Sequence, residues 1–524
     1  MRAWSFPAGT LVIAALVLSI RTPTATSQAS DPSPDPGSAL TITAPPVPPS
    51  PPPKEQSKRA AWLSDEIDRA IAAHPRLAGA AIGVAVRDLA GKKSLYAHDA
   101  DKRFNVASNA KLITTAAVLH YLGPDFRFYT SIFVDDIDEA GVVAGNLYVR
   151  GRADPSLGTE DLRALAADIA LYGVTAIRGQ IVIDDSYFDK HTLPPHFSEQ
   201  PDEDAAFRAP IGAASLNFNS VSFVITPSRT GTGPARVLVD PPADYVHLQA
   251  AVETVTQGRT RLRVESEAKR QRLEVKLVGQ IRADQYPYRI RHRVPHPALY
   301  LGSALRAQLA AHDIAVRGRK IGRDVVPDDA LLIASRRSPP LAVLIRGMGK
   351  YSNNFVAEML LKTIGAEVKS GGEPASFDDG LAAVREYLTE KLGFAPEGFR
   401  YDNGSGLFDA TRLSPNQLVT VLATAYADFR YGPDLMASLA IAGADGTLRS
   451  RMEDGPAQRM VRAKTGTLET VSALSGYAAA DDQAPLAFSI LVNDIPAGAM
   501  GDARSLEDDI AQLLVTFLSR SPSE

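Results

Sequence analysis

The chain has 524 residues, 45% of them hydrophobic, enough to bury a large core spread over two or three domains. Its formal net charge is −4 and it has no long Lys/Arg run, which sets a nucleic-acid partner aside. It has no cysteine, which excludes disulfides, thiolate metal sites and cysteine nucleophiles without excluding an oxidising compartment.

Arg2, the apolar run Ala8–Ile20 and small residues from Thr24 to Ala29 predict an export signal over residues 1–29, too short for a comfortable membrane span. A retained signal anchor is the other reading of that segment. Residues 30–57, with Pro49 to Pro53, cannot bury a core and favour an extended polyproline spacer. Folding is expected to begin near Ser57, with a helix over Ala60–His74 and strands over Ala80–Val86 and Ser94–Ala97 about a turn at Asp88–Gly91. Asn105 is expected to open a helix that runs to Leu122 and stops at Gly123. Short alternating strands and turns follow from about Tyr129 to Asp328, for example Ile181–Asp185 and Leu273–Val278. Helices return over Leu341–Gly349, Asn354–Ile364 and Asp378–Leu392. Strands over Val471–Ala479 and Leu486–Val492 make a hairpin, and an amphipathic helix covers Ser505–Leu518. The pattern predicts a discontinuous domain over residues 58–130 and 329–524. A β-rich region over 131–328, read as two subdomains, is inserted in it and is too long to be a loop.

Three motifs carry chemistry. Ser108-Asn109-Ala110-Lys111 places serine and lysine three apart, on one helix face, beside a helix N-terminus. Residues Leu112 to Leu119 are all apolar, Ala or Thr, so the lysine is expected to be buried, lowered in pKa and able to accept a proton. That would activate Ser108. Ser352-Asn353-Asn354 precedes an apolar helix and also reads as a helix cap. Lys464-Thr465-Gly466-Thr467 precedes the Val471 strand. Its cation and hydroxyls can hold a carboxylate and Gly466 admits a close approach to the backbone, although a surface turn reads the same way. Each motif is weak alone; together and in this order they are the set used by penicillin-binding proteins and class A β-lactamases.

The resemblance extends further. Phe104 to Phe128, Ala214 to Ser220, Ser352 to Lys362, Asp402 to Pro415, Gly443 to Leu448 and Ala463 to Tyr477 resemble the penicillin-binding protein 4 family of D-alanyl-D-alanine carboxypeptidases, serine peptidase family S13. That resemblance implies an α+β fold: a transpeptidase/β-lactamase-like core, with a five-stranded antiparallel sheet flanked by helices, and inserted β-rich domains. It implies a serine-type D-Ala-D-Ala carboxypeptidase/endopeptidase acting on peptidoglycan stem peptides and cross-links through an acyl-enzyme. β-Lactam antibiotics would be covalent inhibitors, with no cofactor and no metal. Ser108 would be the nucleophile, Lys111 its base, Ser352 a proton relay and Asn354 the group that orients Lys111 and binds the substrate amide. Lys464, Thr465, Gly466 and Thr467 would bind the substrate, the two threonines and the lysine at its carboxylate. The backbone N–H groups of Ser108 and Thr467 would form the oxyanion hole. The expected location is the periplasm or another extracytoplasmic part of the envelope, with peripheral membrane association.

Two departures stand out. Asn353 replaces the aspartate common in the second motif, and Phe408-Asp409 stands where the family resemblance implies Ser-Arg. Asp409 is expected to repel a stem-peptide side-chain carboxylate that the arginine would hold, with Arg412 as a substitute cation. The other readings are a β-lactamase or esterase, a wall-binding scaffold with a dead site, and a metallohydrolase using His191 and His196 or His292 and His296. Against the last, no His-Glu-x-x-His occurs, prolines interrupt both stretches, and these histidines read as ordinary loop residues.

Overall fold

The computed structural model describes residues 50–53, 55–199, 205–481 and 483–519. The expected export signal and most of the Pro-rich spacer lie outside them. Among the described residues no helix is long and apolar enough to cross a membrane.

The first helix, α1, covers Gln56–Ala72, and the next two strands are β1 (Ala81–Asp88) and β2 (Lys93–His98). Helix α2 spans Ala110–Leu122, α3 Leu341–Tyr351, α4 Asn354–Val368 and α5 Pro415–Ala427. Strands β3 (Ala440–Ile441), β4 (Val461–Leu468), β5 (Val471–Ala478) and β6 (Leu486–Asn493) follow, and α6 (Met500–Leu518) closes the chain. The sheet order is β2-β1-β6-β5-β4-β3, all antiparallel, so the two ends of the sequence meet where β1 pairs with β6. The expected five strands become six, because a two-residue strand, too short to show a period, adds to one edge.

Strands β5 and β6 are buried along their whole length, since helices cover both faces. On one side Trp62, Leu63 and Ile67 of α1 meet Leu506, Ile510 and Leu514 of α6 over Leu474, Phe488 and Ile490. On the other, Ile113 and Ala117 of α2 and Leu418 and Leu422 of α5 pack with Ala473, Tyr477 and Leu491. Small residues in β5 (Ser472, Ala473, Ser475, Gly476) let helices approach both faces. Gly476 also lies close to the neighbouring strand β4, where an added methyl would be 2.1 Å from the Arg462 carbonyl.

Residues 129–337 leave and rejoin this core side by side. Strand Tyr129–Val134 pairs antiparallel with Leu331–Arg337, and Leu341 N–H donates to the Phe126 carbonyl at 2.8 Å. These two strands belong to a five-stranded sheet, and three further sheets lie between them in the sequence, with a separate core that includes Leu147, Ile183, Phe223, Leu277 and Leu305. Two helices, Thr159–Leu171 and Pro297–Ala310, run through the region read as β-rich. The first carries Glu160 and Asp161 in its opening turn, a legible start signal.

Candidate active site

The expected helix start at Asn105 is wrong by five residues, because tertiary hydrogen bonds hold that residue extended. Asn105 is held in a short strand: its N–H donates to Asn493 Oδ1 at 2.8 Å, and Asn493 Nδ2 donates to its carbonyl at 3.0 Å. Its own Oδ1 accepts the Ala107 N–H at 2.9 Å. The chain then turns through Ala107, whose φ of +45° is left-handed, into a 3₁₀ turn over Ala107–Asn109, and only at Ala110 into α2. Ser108 thus sits on a tight, strained turn before the helix. Such strain clusters at functional sites.

Lys111, one turn on, is 1% exposed. Its Nζ donates to Ser108 Oγ at 3.0 Å, Asn354 Oδ1 at 2.8 Å and the Ser405 carbonyl at 2.7 Å. Burial, and then the neighbouring Lys464 charge, pull its pKa well below the ordinary lysine value, while Glu358 opposes them.

Ser352 is the left-handed C-cap of α3, with φ +56°, and Asn353 caps α4, its Oδ1 accepting the Val356 N–H at 3.1 Å. The cap reading holds for Asn353, and it leaves Ser352 and Asn354 free to take part in a site. The cap rigidifies the turn that presents Ser352 and Asn354 to the cleft, and Asn353 spends its side chain on the helix. Asn354 Nδ2 meets the Phe207 carbonyl, from the inserted region, at 3.5 Å.

Lys464-Thr465-Gly466-Thr467 lies inside β4 rather than in a surface turn. β-Branched threonines favour an extended chain. Strand β3 pairs only with Arg462 and Ala463, so from Lys464 onward β4 has no partner strand on that side among the described residues. Lys464 is 1% exposed, and its Nζ donates to Ser352 Oγ at 2.9 Å and to the Thr465 carbonyl at 2.7 Å. Burial pushes its pKa down to about 7. Gly466 admits the Ser108 turn itself: a methyl there would lie 3.0 Å from Ala107 Cβ and 3.1 Å from the Ser108 nitrogen. Ser108, Lys111, Ser352, Asn354 and Lys464 are therefore joined in two hydrogen-bonded groups at the sheet edge.

Three participants escaped the sequence reading. Thr447, on the Gly446–Leu448 turn, accepts a hydrogen bond from Thr465 Oγ1 at 2.8 Å. Ser405 supplies a carbonyl to Lys111. Glu358 is fully buried in α4 and accepts the N–H groups of Gly404 at 3.1 Å and Ser405 at 2.8 Å. Its signal was present: an acid inside an apolar helix, four residues after Asn354.

Asp409 is not the free repelling charge expected. Arg412 holds it through two hydrogen bonds of 2.8 and 2.9 Å, and Arg400 lies 3.3 Å away. Arg412 is thereby occupied as well. The histidines do not converge. His191 pairs with Asp189 and His196 with Glu199, while His292 bonds Ser266 and His296 bonds Tyr245. His292 is a buried strand residue rather than a loop residue.

Residues 63–516 match the model of the D-Ala-D-Ala carboxypeptidase 3 (S13) family. The chain belongs to that family. It is a serine-type D-Ala-D-Ala carboxypeptidase, a hydrolase. A D-alanyl-D-alanine carboxypeptidase of Actinomadura sp. (strain R39) is 33% identical over 481 residues, 89% of this chain and 87% of its own. The carboxypeptidase DacB of Haemophilus influenzae is 27% identical over 409 residues, 75% of this chain and 81% of its own. The crystal structure of penicillin binding protein 4 (dacB) from the same organism superposes with a TM-score of 0.69 at 24% identity, covering 84% of this chain and 97% of that one. That likeness confirms the fold class.

Proposed function

We propose that the chain cleaves the terminal D-Ala from peptidoglycan stem peptides through an ester on Ser108, and that it also opens peptide cross-links. The observation that carries the reading is Lys111 Nζ at 3.0 Å from Ser108 Oγ, buried and drawn toward neutrality. Neutral Lys111 takes the Ser108 proton as Oγ bonds to the carbonyl carbon of the penultimate D-Ala. The C–N bond breaks, and a proton reaches the leaving amine by way of Ser352. Water then attacks the ester and restores the Ser108 hydroxyl. Asn354 holds Lys111 and the substrate amide. Charged Lys464, with Thr465 and Thr467, holds the terminal carboxylate. The N–H groups of Ser108 and Thr467 stabilise the oxyanion. β-Lactams acylate the same serine and leave slowly; the H. influenzae fold relative has been crystallised with one. Residues 1–29 direct export to the cell envelope, where the mature chain is periplasmic or peripherally membrane-associated.

The test is incubation with fluorescent penicillin alongside Ser108→Ala, with the label located by peptide mass spectrometry. Stable label on Ser108, absent from the variant, supports the reading. No label on folded wild-type protein refutes it. Release of D-Ala from a stem pentapeptide, and of monomers from a cross-linked dimer, separates the two activities.

A further inference from the structure

The mechanism above leaves unused a fully buried carboxylate close to Lys111, that of Glu358. That carboxylate lies one helical turn beyond Asn354, so the two side chains project from the same face of α4. Both oxygens are used: Oε1 accepts the Ser405 N–H and Oε2 the Gly404 N–H. The Ser405 carbonyl, on the other side of the same peptide turn, accepts from Lys111 Nζ at 2.7 Å. One element therefore supplies Lys111 twice, directly through Asn354 and indirectly through Glu358 and the 404–405 turn.

Charge adds a second role. Two buried lysines face this cleft, Lys111 from α2 and Lys464 from β4, and each is costly to keep protonated. The groups that face Glu358 are the Lys111 ammonium from α2, the Tyr401 phenol from the strand Arg400–Tyr401, the Ser405 hydroxyl, and the amides of Gly404 and Ser405. Lys464 acts on Lys111 in the opposite sense to Glu358. Burial pushes the Glu358 carboxyl up, while the Ser405 and Gly404 hydrogen bonds and Lys111 pull it down.

We infer that Glu358 is a positioning residue of the acylation step: it fixes the 404–405 turn that holds Lys111, and its negative charge sets the pH at which Lys111 becomes the neutral base. This rests on the Ser108–Lys111 reading proposed above. Removing the anion favours the neutral amine, so the limb of the pH profile governed by Lys111 moves to lower pH. An opposite charge at close range is worth about one pH unit or more.

The experiment measures the second-order rate of penicillin acylation of Ser108 against pH for wild type, Glu358→Gln and Glu358→Asp, with circular dichroism as a check on folding. The glutamine variant keeps shape but loses the charge and one acceptor. Its acid limb is expected to fall by about one unit, with the plateau rate reduced about tenfold or more because the turn is held by one bond instead of two. The aspartate variant keeps the charge on a shorter arm, so its limb is expected to stay near the wild-type position while its plateau falls. A glutamine variant with the wild-type limb overturns the electrostatic role. Should that variant not fold, an aspartate variant with a wild-type plateau overturns the positioning role. Wild-type enzyme left unlabelled at Ser108 would refute the underlying mechanism instead, so the two failures are distinct.

Discussion

Gly466→Ala isolates the closest approach in the site. Gly466 lies in β4 with ordinary extended backbone, so alanine meets no conformational obstacle and any effect comes from contact alone. The added methyl would lie 3.0 Å from Ala107 Cβ, 3.0 Å from the Val106 carbonyl oxygen and 3.1 Å from the Ser108 nitrogen. Carbon atoms rest about 3.5–4.0 Å apart, so the Ala107 contact is about 0.5 Å too short. All three atoms belong to the turn that carries the nucleophile, and Ala107 already occupies a left-handed conformation with little room to yield. Overpacking of this kind costs about 1–3 kcal/mol. The relief must come from β4 and the Ser108 turn moving apart, which opens the gap between the proposed oxyanion donors. Loss of one such donor lowers rates by about 10²–10³-fold. The expected result is a melting temperature reduced by a few degrees and penicillin acylation slowed by about two orders of magnitude. A variant that melts lower but acylates at the wild-type rate would show that the contact is packing only. A variant unchanged in both would refute the close approach itself.

Other outcomes follow from the same geometry. Lys111→Met should slow acylation by about 10²–10⁴-fold with the protein still folded; a rate within tenfold of wild type would remove Lys111 as the base. Lys464 is pushed down to about 7 and has to be charged to hold a carboxylate, whereas Lys111 has to be neutral, and its pKa lies well below the ordinary lysine value. The kcat/KM profile for a peptide ending in a free carboxylate should therefore fall as pH passes about 7 and Lys464 loses its proton. A C-terminally amidated analogue should lack the falling limb, and an identical limb for both would refute this role. Asp409→Ala frees Arg412, while Arg400 keeps its pair with Asp402 at 3.5 Å, and should favour substrates bearing a side-chain carboxylate by about tenfold in KM. Partly exposed pairs contribute only about 0–1 kcal/mol, so stability should barely change; an unchanged KM ratio would show that Arg412 does not face the substrate.

The parts of the site legible in the sequence are those where a charge contradicts its surroundings. Lys111 stood out because it falls in an apolar helix, and burial is what the structure shows. Glu358 sits between Ala357 and Met359 in an equally apolar helix and satisfies the same criterion. It was missed because no motif drew attention to it. The left-handed turns at Ala107 and Ser352 were illegible, since neither is glycine and each is imposed by bonds to residues far along the chain or by a helix end. The Lys464 motif reads as a carboxylate-binding segment or a turn just ahead of a strand; its place inside β4, at an edge left open where β3 stops, is a tertiary fact. The sheet was legible from β1, β5 and β6, while β4, equally long but carrying Lys464 and two threonines, and the two-residue β3 were not.

The inserted region looks detachable, because its ends are zipped together: Ser338 N–H donates to the Phe128 carbonyl at 2.9 Å, and Ala342 N–H to the Pro124 carbonyl at 3.0 Å. Closing the chain across that gap would cost little. The core, however, has placed a charge in its keeping. Lys362 of α4 has a fully buried side chain and projects between the rings of Phe188 and Phe377, at 5.1 and 4.6 Å from their centroids. Its anion, Asp189, and the His191 carbonyl at 2.8 Å both belong to the insert. Removing one partner of a buried pair costs about 3–5 kcal/mol, a large share of a domain's net stability. A chain closed by a short linker from residue 130 to 337 should therefore fail to fold, although its ends meet. Adding Lys362→Met to that deletion should recover folded protein if the stranded charge is the main defect. Folding of the deletion with Lys362 intact, judged by a cooperative thermal transition, would refute the reasoning. Recovery through Lys362→Met without penicillin acylation would instead mean that the insert also orders the cleft, where the Phe207 carbonyl meets Asn354.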